Sequence, residues 1–385
     1  MKVLFIVSDF DMGGITSSLR NLTNKLVEKN VEVEILNLPN KLLPQGFHGK
    51  IKLLEVCGLA RFWNLGIEHV KQAKGLKKIK LLLLGFLKKL LNKKEAWFNF
   101  IFRNLQLSTY YDAVVGFRQS PICYYLTTRK DFGKKKIGFW HGDIDYMKGV
   151  SSWDYYLKEL DVLACVSNAI RDQMIEKYPH LQGKAYTIYN GFDLIEIKQK
   201  QQVSNPCYCN SMFNIVTVSR LEFELKQVQR IPYICEKLLE QGITNFCWHI
   251  VGDGPDFSRL QTIIEEKALK NYIIIHGAKS NPYPYMSQAD LFVLTSATES
   301  YGMVLVEALI CKTPVIAGGY PALKEIVEDG KTGIIAENSI DGIYKSVYRM
   351  ITDKALYNEI KKNVIQYQYD EQMVYKQFME MMENA

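Results

Sequence analysis

Short apolar runs alternate with stretches whose apolar residues recur at helical spacing along almost the whole chain. Residues 3–7 (VLFIV) form a continuous apolar run and read as a buried strand. A Gly-Gly turn follows, and Ile15, Leu19, Leu22 and Leu26 then recur three or four positions apart, as one face of a helix requires. Residues 31–38 (VEVEILNL) alternate as a strand, completing a predicted βαβ unit. Further strands are predicted at 113–116, 136–140, 162–166 and 185–189, with a helix over 168–176. Residues 198–211 (KQKQQVSNPCYCNS) are polar, aperiodic and contain Pro206, so they read as a linker. A second series has strands at 213–218, 246–251, 273–275, 291–294 and 314–317, and helices at 230–241, 257–267 and 303–310. The last thirty or so residues read as helix. The pattern predicts two α/β domains with parallel sheets, at 1–195 and 196–364, with a helix at about 365–385 packing back onto the first. Open sheets of this kind bind ligands outside the carboxyl ends of their strands, so the cleft between the domains is the expected site.

Length and composition narrow the class. A chain of 385 residues with 48% hydrophobic content has material for two cores. The longest apolar run, residues 81–87 (LLLLGFL), is far shorter than the roughly 18–20 residues that span a bilayer. The first residues read as a buried strand closed by Asp9, in place of a secretory signal, and a cytoplasmic location is expected. Eight cysteines include no C-x-x-C pair, and the one close pair, Cys207 and Cys209, has no counterpart downstream. Free thiols are therefore expected, without a zinc site.

Charge adds a local feature. The net charge is +7, and residues 71–94 hold nine lysines and no acid, which leaves the rest of the chain at −2. One basic segment points to one anionic surface and away from general nucleic-acid binding. On a helix over 75–91, Leu76, Ile79, Leu83, Phe86, Leu87 and Leu90 fall on one side. Lys74, Lys77, Lys78, Lys88 and Lys89 fall largely opposite, and Trp97, Phe98 and Phe100 follow. That is the profile of a helix lying in a membrane interface. The alternative is a helix packed on the first domain with a solvated lysine face.

Chemistry-bearing residues cluster where strands are expected to end. Gly13 and Gly14 lie between the first strand and its helix, either for ligand approach or for tight packing. Residues 251–255 (VGDGP) form a second glycine turn, without the third glycine of a dinucleotide site, and read mainly as tight packing. Arg220 follows a strand, with Lys226 six residues later; two cations there suit a diphosphate, or make a solvated surface pair. Glu299 sits in the loop after the strand at 291–294, and Glu307 lies about one turn into the next helix. A carboxylate so placed can accept from sugar hydroxyls, and the free N–H groups of Gly302, Met303 and Val304 suit a phosphate. His141 follows the strand at 136–140 and precedes Gly142.

These motifs, in this order, resemble the retaining glycosyltransferases of family 4. They include Gly13-Gly14, His141-Gly142, Ser219-Arg-Leu221 with Lys226, Gly252-Asp-Gly-Pro255, Glu299 with Glu307, and Glu325-Ile-Val327. The resemblance runs through nearly the whole length and implies the GT-B fold, two facing Rossmann-like domains with a central cleft. It implies that Arg220 and Lys226 hold the donor diphosphate, with Gly14 closing over it, that Glu307 accepts from the ribose, and that Glu299 contacts the donor sugar. His141 would sit near the reacting carbon and the acceptor. No metal or other cofactor is implied, the nucleotide sugar being a co-substrate. Three places depart from the family pattern: the Arg220-to-Lys226 spacing is one residue longer than the commonest form, Ser300-Tyr301 replaces a frequent Gly-Phe, and Pro321-Ala322 replaces a frequent Gly-Gly. The expected function is retaining transfer of a hexosyl unit from a nucleotide diphosphate sugar, a UDP-sugar for preference, to a glycan or lipid-linked acceptor. Bacterial capsule or O-antigen synthesis is the expected setting, with the enzyme peripheral to the inner face of the plasma membrane. A nucleotide-sugar epimerase or phosphorylase of the same architecture, or a non-catalytic partner subunit, is the alternative.

Overall fold

Continuous apolar runs become parallel strands buried on both faces, as β1 (Lys2–Val7) illustrates with five of its six residues inaccessible to water. The computed structural model describes residues 1–10, 13–91, 93–147, 153–203, 206 and 208–384. Backbone contacts divide the chain into two units. The first comprises Met1–Val166, Arg171–Ile188 and Tyr375–Ala385; the second comprises Ser167–Ile170 and Tyr189–Val374.

In the first unit, β1 is followed by α1 (Gly14–Glu28), β2 (Glu32–Asn37) and β3 (Lys52–Glu55). Four helices or strands then run from α2 (Ile67–Gln72) through α3 (Gly75–Leu91) and α4 (Lys94–Phe102) to β4 (Tyr111–Gly116). Next come α5 (Pro121–Thr127), β5 (Gly133–Trp140), α6 (Asp154–Glu159), β6 (Val162–Cys165), α7 (Asn168–Lys177), whose first three residues belong to the second unit, and β7 (Ala185–Thr187). The seven strands pair in the order β3-β2-β1-β4-β5-β6-β7, all parallel. The order reverses between β1 and β4, the switch point at which doubly wound sheets open a crevice. Phe5, Phe117 and Phe139 build a buried aromatic row, with ring centroids 6.0 and 4.6 Å apart.

The second unit runs through α8 (Leu194–Lys200), β8 (Phe213–Val218), α9 (Arg230–Glu240), β9 (Phe246–Val251), α10 (Phe257–Glu266) and β10 (Ile273–Gly277). It continues with α11 (Tyr283–Ser287), β11 (Leu291–Leu294), α12 (Met303–Ile310), β12 (Val315–Gly318), β13 (Gly333–Ala336), α13 (Ile340–Thr352) and α14 (Lys354–Gln366). Its parallel sheet is ordered β10-β9-β8-β11-β12-β13, with the switch point between β8 and β11. Buried Trp248 donates from its indole to Thr217 Oγ1 at 3.0 Å, and Thr217 donates on to the Val293 carbonyl, so this core has no stranded polar group there.

Several elements differ from the sequence reading. The expected linker at 198–211 begins inside α8, which Asp193 caps through the Glu196 N–H; of that stretch, Ser204, Asn205 and Cys207 lie outside the described residues. The C-terminal helical stretch is two helices, α14 and α15 (Met373–Asn384), separated at 367–372. Within the first unit Phe378 of α15 stacks on Phe5 at 6.4 Å, and Lys135 donates to the Met382 carbonyl at 2.6 Å. Strands β3 and β13 and helix α13 were not anticipated.

Helix α3 requires the largest correction. It docks through Leu81 and Leu84, and Lys88 is half-buried, its Nζ donating to the Leu65 carbonyl at 2.6 Å. Leu76, Ile79, Leu83, Phe86 and Leu90 are exposed, so the wide apolar stripe is not the packing face. Lys88 does not belong to a solvated lysine face. Trp97 and Phe98, read as interfacial aromatics, are buried core residues, and the Trp97 indole donates to the Trp63 carbonyl at 3.1 Å. Among the described residues, no helix is long and apolar enough to cross a membrane.

Candidate active site

In the second unit the loops after β8 and β11 meet at the switch point. The Ala297 N–H donates to the Leu225 carbonyl at 2.8 Å, and the Thr295 hydroxyl donates to the Lys226 carbonyl at 2.9 Å. Those two bonds fix Lys226 beside the loop that carries Glu299. Lys226 Nζ lies 2.6 Å from Glu299 Oε1, which also accepts from the Ser296 hydroxyl at 2.7 Å. The longer spacing from Arg220 therefore still delivers Lys226 to the strand ends. Arg230 braces the same loop, donating to the Thr295 carbonyl at 3.1 Å and to Asn338 Oδ1 at 2.6 Å, while Asn338 donates to the Ala297 carbonyl at 2.7 Å.

The glycine turn after β9 holds the other cation. A Cβ on Gly254 would stand 2.3 Å from the Leu221 carbonyl oxygen, and one on Gly252 only 1.8 Å from that of Ser219. Close backbone approach is what these glycines provide, as the packing reading of this turn expects. The Leu221 N–H donates to the Asp253 carbonyl and the Asp256 N–H to the Leu221 carbonyl, so residues 219–221 are stitched to the turn. Arg220 is left with its side chain 67% exposed, its Nε 3.9 Å from Glu222.

Helix α12 begins at Gly302, whose φ of +91° suits glycine. A Cβ there would also lie 2.3 Å from the Tyr320 hydroxyl. Met303 and Val304, the first two helical residues, present N–H groups that no helical carbonyl can accept from. One turn further, Glu307 accepts from the Tyr283 hydroxyl at 3.3 Å. Burial pushes its carboxyl up to about 7, against the Tyr283 bond, which lowers it. Ser300 and Tyr301, the departures beside Glu299, have packing partners: the Ser300 carbonyl accepts from Ser167, and Tyr301 is buried with its ring 5.4 Å from Tyr189. Within the second unit, Glu325 receives the N–H groups of Asn168 and Ala169 and the Tyr189 hydroxyl.

His141 and Gly14 belong to the first unit. His141 directly follows β5 and is buried, its ring stacked 5.8 Å from Phe139. Its Nε2 is 2.8 Å from the Phe117 carbonyl, an acceptor only, so Nε2 carries the proton. Burial lowers its pKa to about 4, with Arg118 adding to the effect against the Phe117 bond, and the ring is neutral. Gly14 is exposed at the start of α1, and a Cβ on Gly13 would meet nothing within 4 Å. Packing does not explain a glycine at 13.

The structure thus brings Lys226, Glu299, Gly302 and Glu307 together in one unit, with Arg220 on the neighbouring loop. Sequence reasoning missed Ser296, Tyr283, Arg230 and Asn338. Ser296 lies three positions from its partner Glu299, within reach of local reading, but the partners of Tyr283, Arg230 and Asn338 lie 24 to 108 positions away, where no local spacing marks them. Among the described residues, no group of three or more His, Cys, Asp or Glu could hold a metal ion.

Two parallel sheets with this strand order, and ionic side chains gathered at a switch point, define a chain of the GT-B class. The solved structure of Anabaena HepE in complex with UDP and glucose aligns over 100% of both chains with a TM-score of 0.70, at 18% identity, a likeness of fold alone. Residues 211–367 match the family model for glycosyl transferases group 1. N-acetyl-alpha-D-glucosaminyl L-malate synthase of Bacillus anthracis is 22% identical over 234 residues, 58% of this chain and 57% of the relative. Alpha-monoglucosyldiacylglycerol synthase of Acholeplasma laidlawii is 30% identical over 158 residues, 40% of this chain and 38% of the relative. The chain spans about half the length of the curated relatives it matches.

Proposed function

We propose that this chain is a retaining glycosyltransferase that moves a hexosyl unit from a UDP-sugar to a glycan or lipid-linked acceptor in bacterial polysaccharide or glycolipid synthesis. The observation that carries the reading is the Lys226–Glu299 pair at the switch point, with Glu307 one turn into the helix that Gly302 opens. In this reading Lys226, Arg220 and the N–H groups at the start of α12 neutralise the diphosphate as the leaving-group charge develops. Glu307 accepts from the ribose hydroxyls and Glu299 from the sugar. His141, neutral at physiological pH, contacts the sugar or acceptor as a hydrogen-bonding group without adding charge. Charge compensation by side chains and backbone leaves no step that requires a metal. The UDP in the HepE complex supports the choice of donor base, and the lipid product in the name of the Acholeplasma relative supports the choice of acceptor.

The lysine-rich α3 supports action at a membrane surface: its exposed apolar side can enter an anionic leaflet while neighbouring lysines bind headgroups. The decisive experiment incubates the protein with a panel of nucleotide sugars and lipid or glycan acceptors, with and without EDTA, and follows nucleotide release and the anomeric configuration of the product. Transfer with retention, unaffected by EDTA, is expected. Release from no donor, inverted product, or activity restored only by a divalent cation would overturn the corresponding part of the reading.

A further inference from the structure

The first unit has a switch point of its own, and a cavity of about 640 Å³ lies there, within the roughly 300–1,000 Å³ of small-molecule sites. Ser8 follows β1, and Ser120 stands in the loop after β4; their hydroxyls are 3.4 Å apart at the cavity wall. Trp63, Trp97, Phe98 and Ile122 supply an apolar wall. Lys88, Lys89, Lys93 and Lys94 also line it, and among the described lining residues there is no carboxylate. Four lysines, of which Lys88 is already bonded to the Leu65 carbonyl, beside an apolar wall with two tryptophans form a site of divided character. A purely apolar ligand would leave the cations unanswered, and a free inorganic anion would leave the wall wet.

We propose that this cavity binds a lipid phosphate, its anionic head between Lys89, Lys93 and Lys94 and its first chain carbons along Trp63, Trp97 and Phe98. Lys88, tied to the Leu65 carbonyl and 5.7 Å from the Trp97 ring centre, holds the inner end of the site in place. Helix α3 makes the arrangement coherent. At about 100° per residue, Gly85, Lys88 and Lys89 share one side, and exposed Leu83, Phe86 and Leu90 lie largely opposite. One helix therefore offers an apolar side to a leaflet and a cationic side to the cavity. Calling the bound lipid the sugar acceptor rests on the transferase reading; the binding itself does not.

Titration calorimetry and tryptophan fluorescence with decyl phosphate, decanol and inorganic phosphate test the proposal, with UDP titrated into the same samples. Decyl phosphate should bind at least tenfold more tightly than either decanol or inorganic phosphate. The Lys89→Gln/Lys93→Gln/Lys94→Gln variant should lose at least tenfold in decyl phosphate affinity and keep its UDP affinity. Gly85 lines the cavity, and a Cβ there would meet nothing within 4 Å, so Gly85→Leu should fold normally and block the chain. Equal binding of decanol, unchanged binding in either variant, or no binding of decyl phosphate below about 1 mM would overturn the proposal. Loss of UDP binding alone, with decyl phosphate retained, would refute the donor reading and leave the cavity assignment standing.

Discussion

Glu307 gives the proposed donor site a pH signature. Its ordinary pKa is 4.5 and its buried value about 7, so in the empty site it is about nine-tenths protonated at pH 6 and nine-tenths ionised at pH 8. A ribose that donates two hydroxyls needs the carboxylate, so binding at pH 6 must first release that proton. Donor affinity should therefore be roughly tenfold weaker at pH 6 than at pH 8, equivalent to about 1.4 kcal/mol. A UDP-sugar is a better probe than UDP, whose terminal phosphate titrates in the same window. Calorimetry at pH 6 in two buffers of different ionisation enthalpy should show nearly one proton released per donor bound. Glu307→Gln should abolish the pH dependence and, by replacing a charged acceptor, weaken binding at pH 8 by about 1.5–3 kcal/mol. Stability should move the other way. Between pH 4.5 and 7 the folded state holds more protons than the unfolded one, so wild-type stability falls as pH rises through that window. The loss is at most about 3 kcal/mol, because Glu307 keeps some contact with water. Glu307→Gln should remove that loss and melt higher than wild type at pH 8. Donor affinity that stays flat from pH 6 to 8, with no proton release, would refute the assignment of Glu307 to the ribose.

Three further outcomes are expected. Glu299→Ala should lower turnover by about a hundredfold or more while UDP affinity stays within a few-fold, whereas Glu307→Ala should weaken UDP as well, measured by initial rates and calorimetry; equal loss in both variants would show that the two roles are wrongly assigned. Gly302→Ala should cost about 2 kcal/mol in denaturant unfolding, because an L side chain at φ +91° is strained and its Cβ meets the Tyr320 hydroxyl. In flotation with anionic liposomes, the wild type should bind and be released by about 1 M salt, while Lys77→Glu/Lys78→Glu/Lys80→Glu/Lys89→Glu should stay unbound; equal behaviour of the two proteins would remove the membrane role of α3.

Most strands could be read from the sequence, because a strand buried on both faces must be apolar throughout. The edge strand β3 escaped because KLLE is only partly buried, and β13 because four residues opening on Gly333 carry too little pattern. Lys226 and Glu299 could each be named, but not their mutual bond. That bond depends on loop-to-loop hydrogen bonds between segments about 70 residues apart, which leave no local trace. Helix α3 shows a different limit. Apolar residues occupy several of its sides, so periodicity identifies the helix but not the side that docks, and two leucines at i and i+3 outweigh the wider stripe.

The Lys226–Glu299 bond also bears on how the proposed reaction ends. An incoming diphosphate must take over Lys226, which leaves the Glu299 carboxylate its Ser296 bond but no cation, unless the same ligand brings further hydroxyl donors to it. A nucleotide sugar brings both groups and bare pyrophosphate brings one, so the empty site discriminates against simple anions before any shape is compared. Once the sugar has left on the acceptor, the remaining nucleotide can no longer satisfy Glu299. Lys226 is then drawn back to its resting partner, and the site favours expulsion of the product over retention.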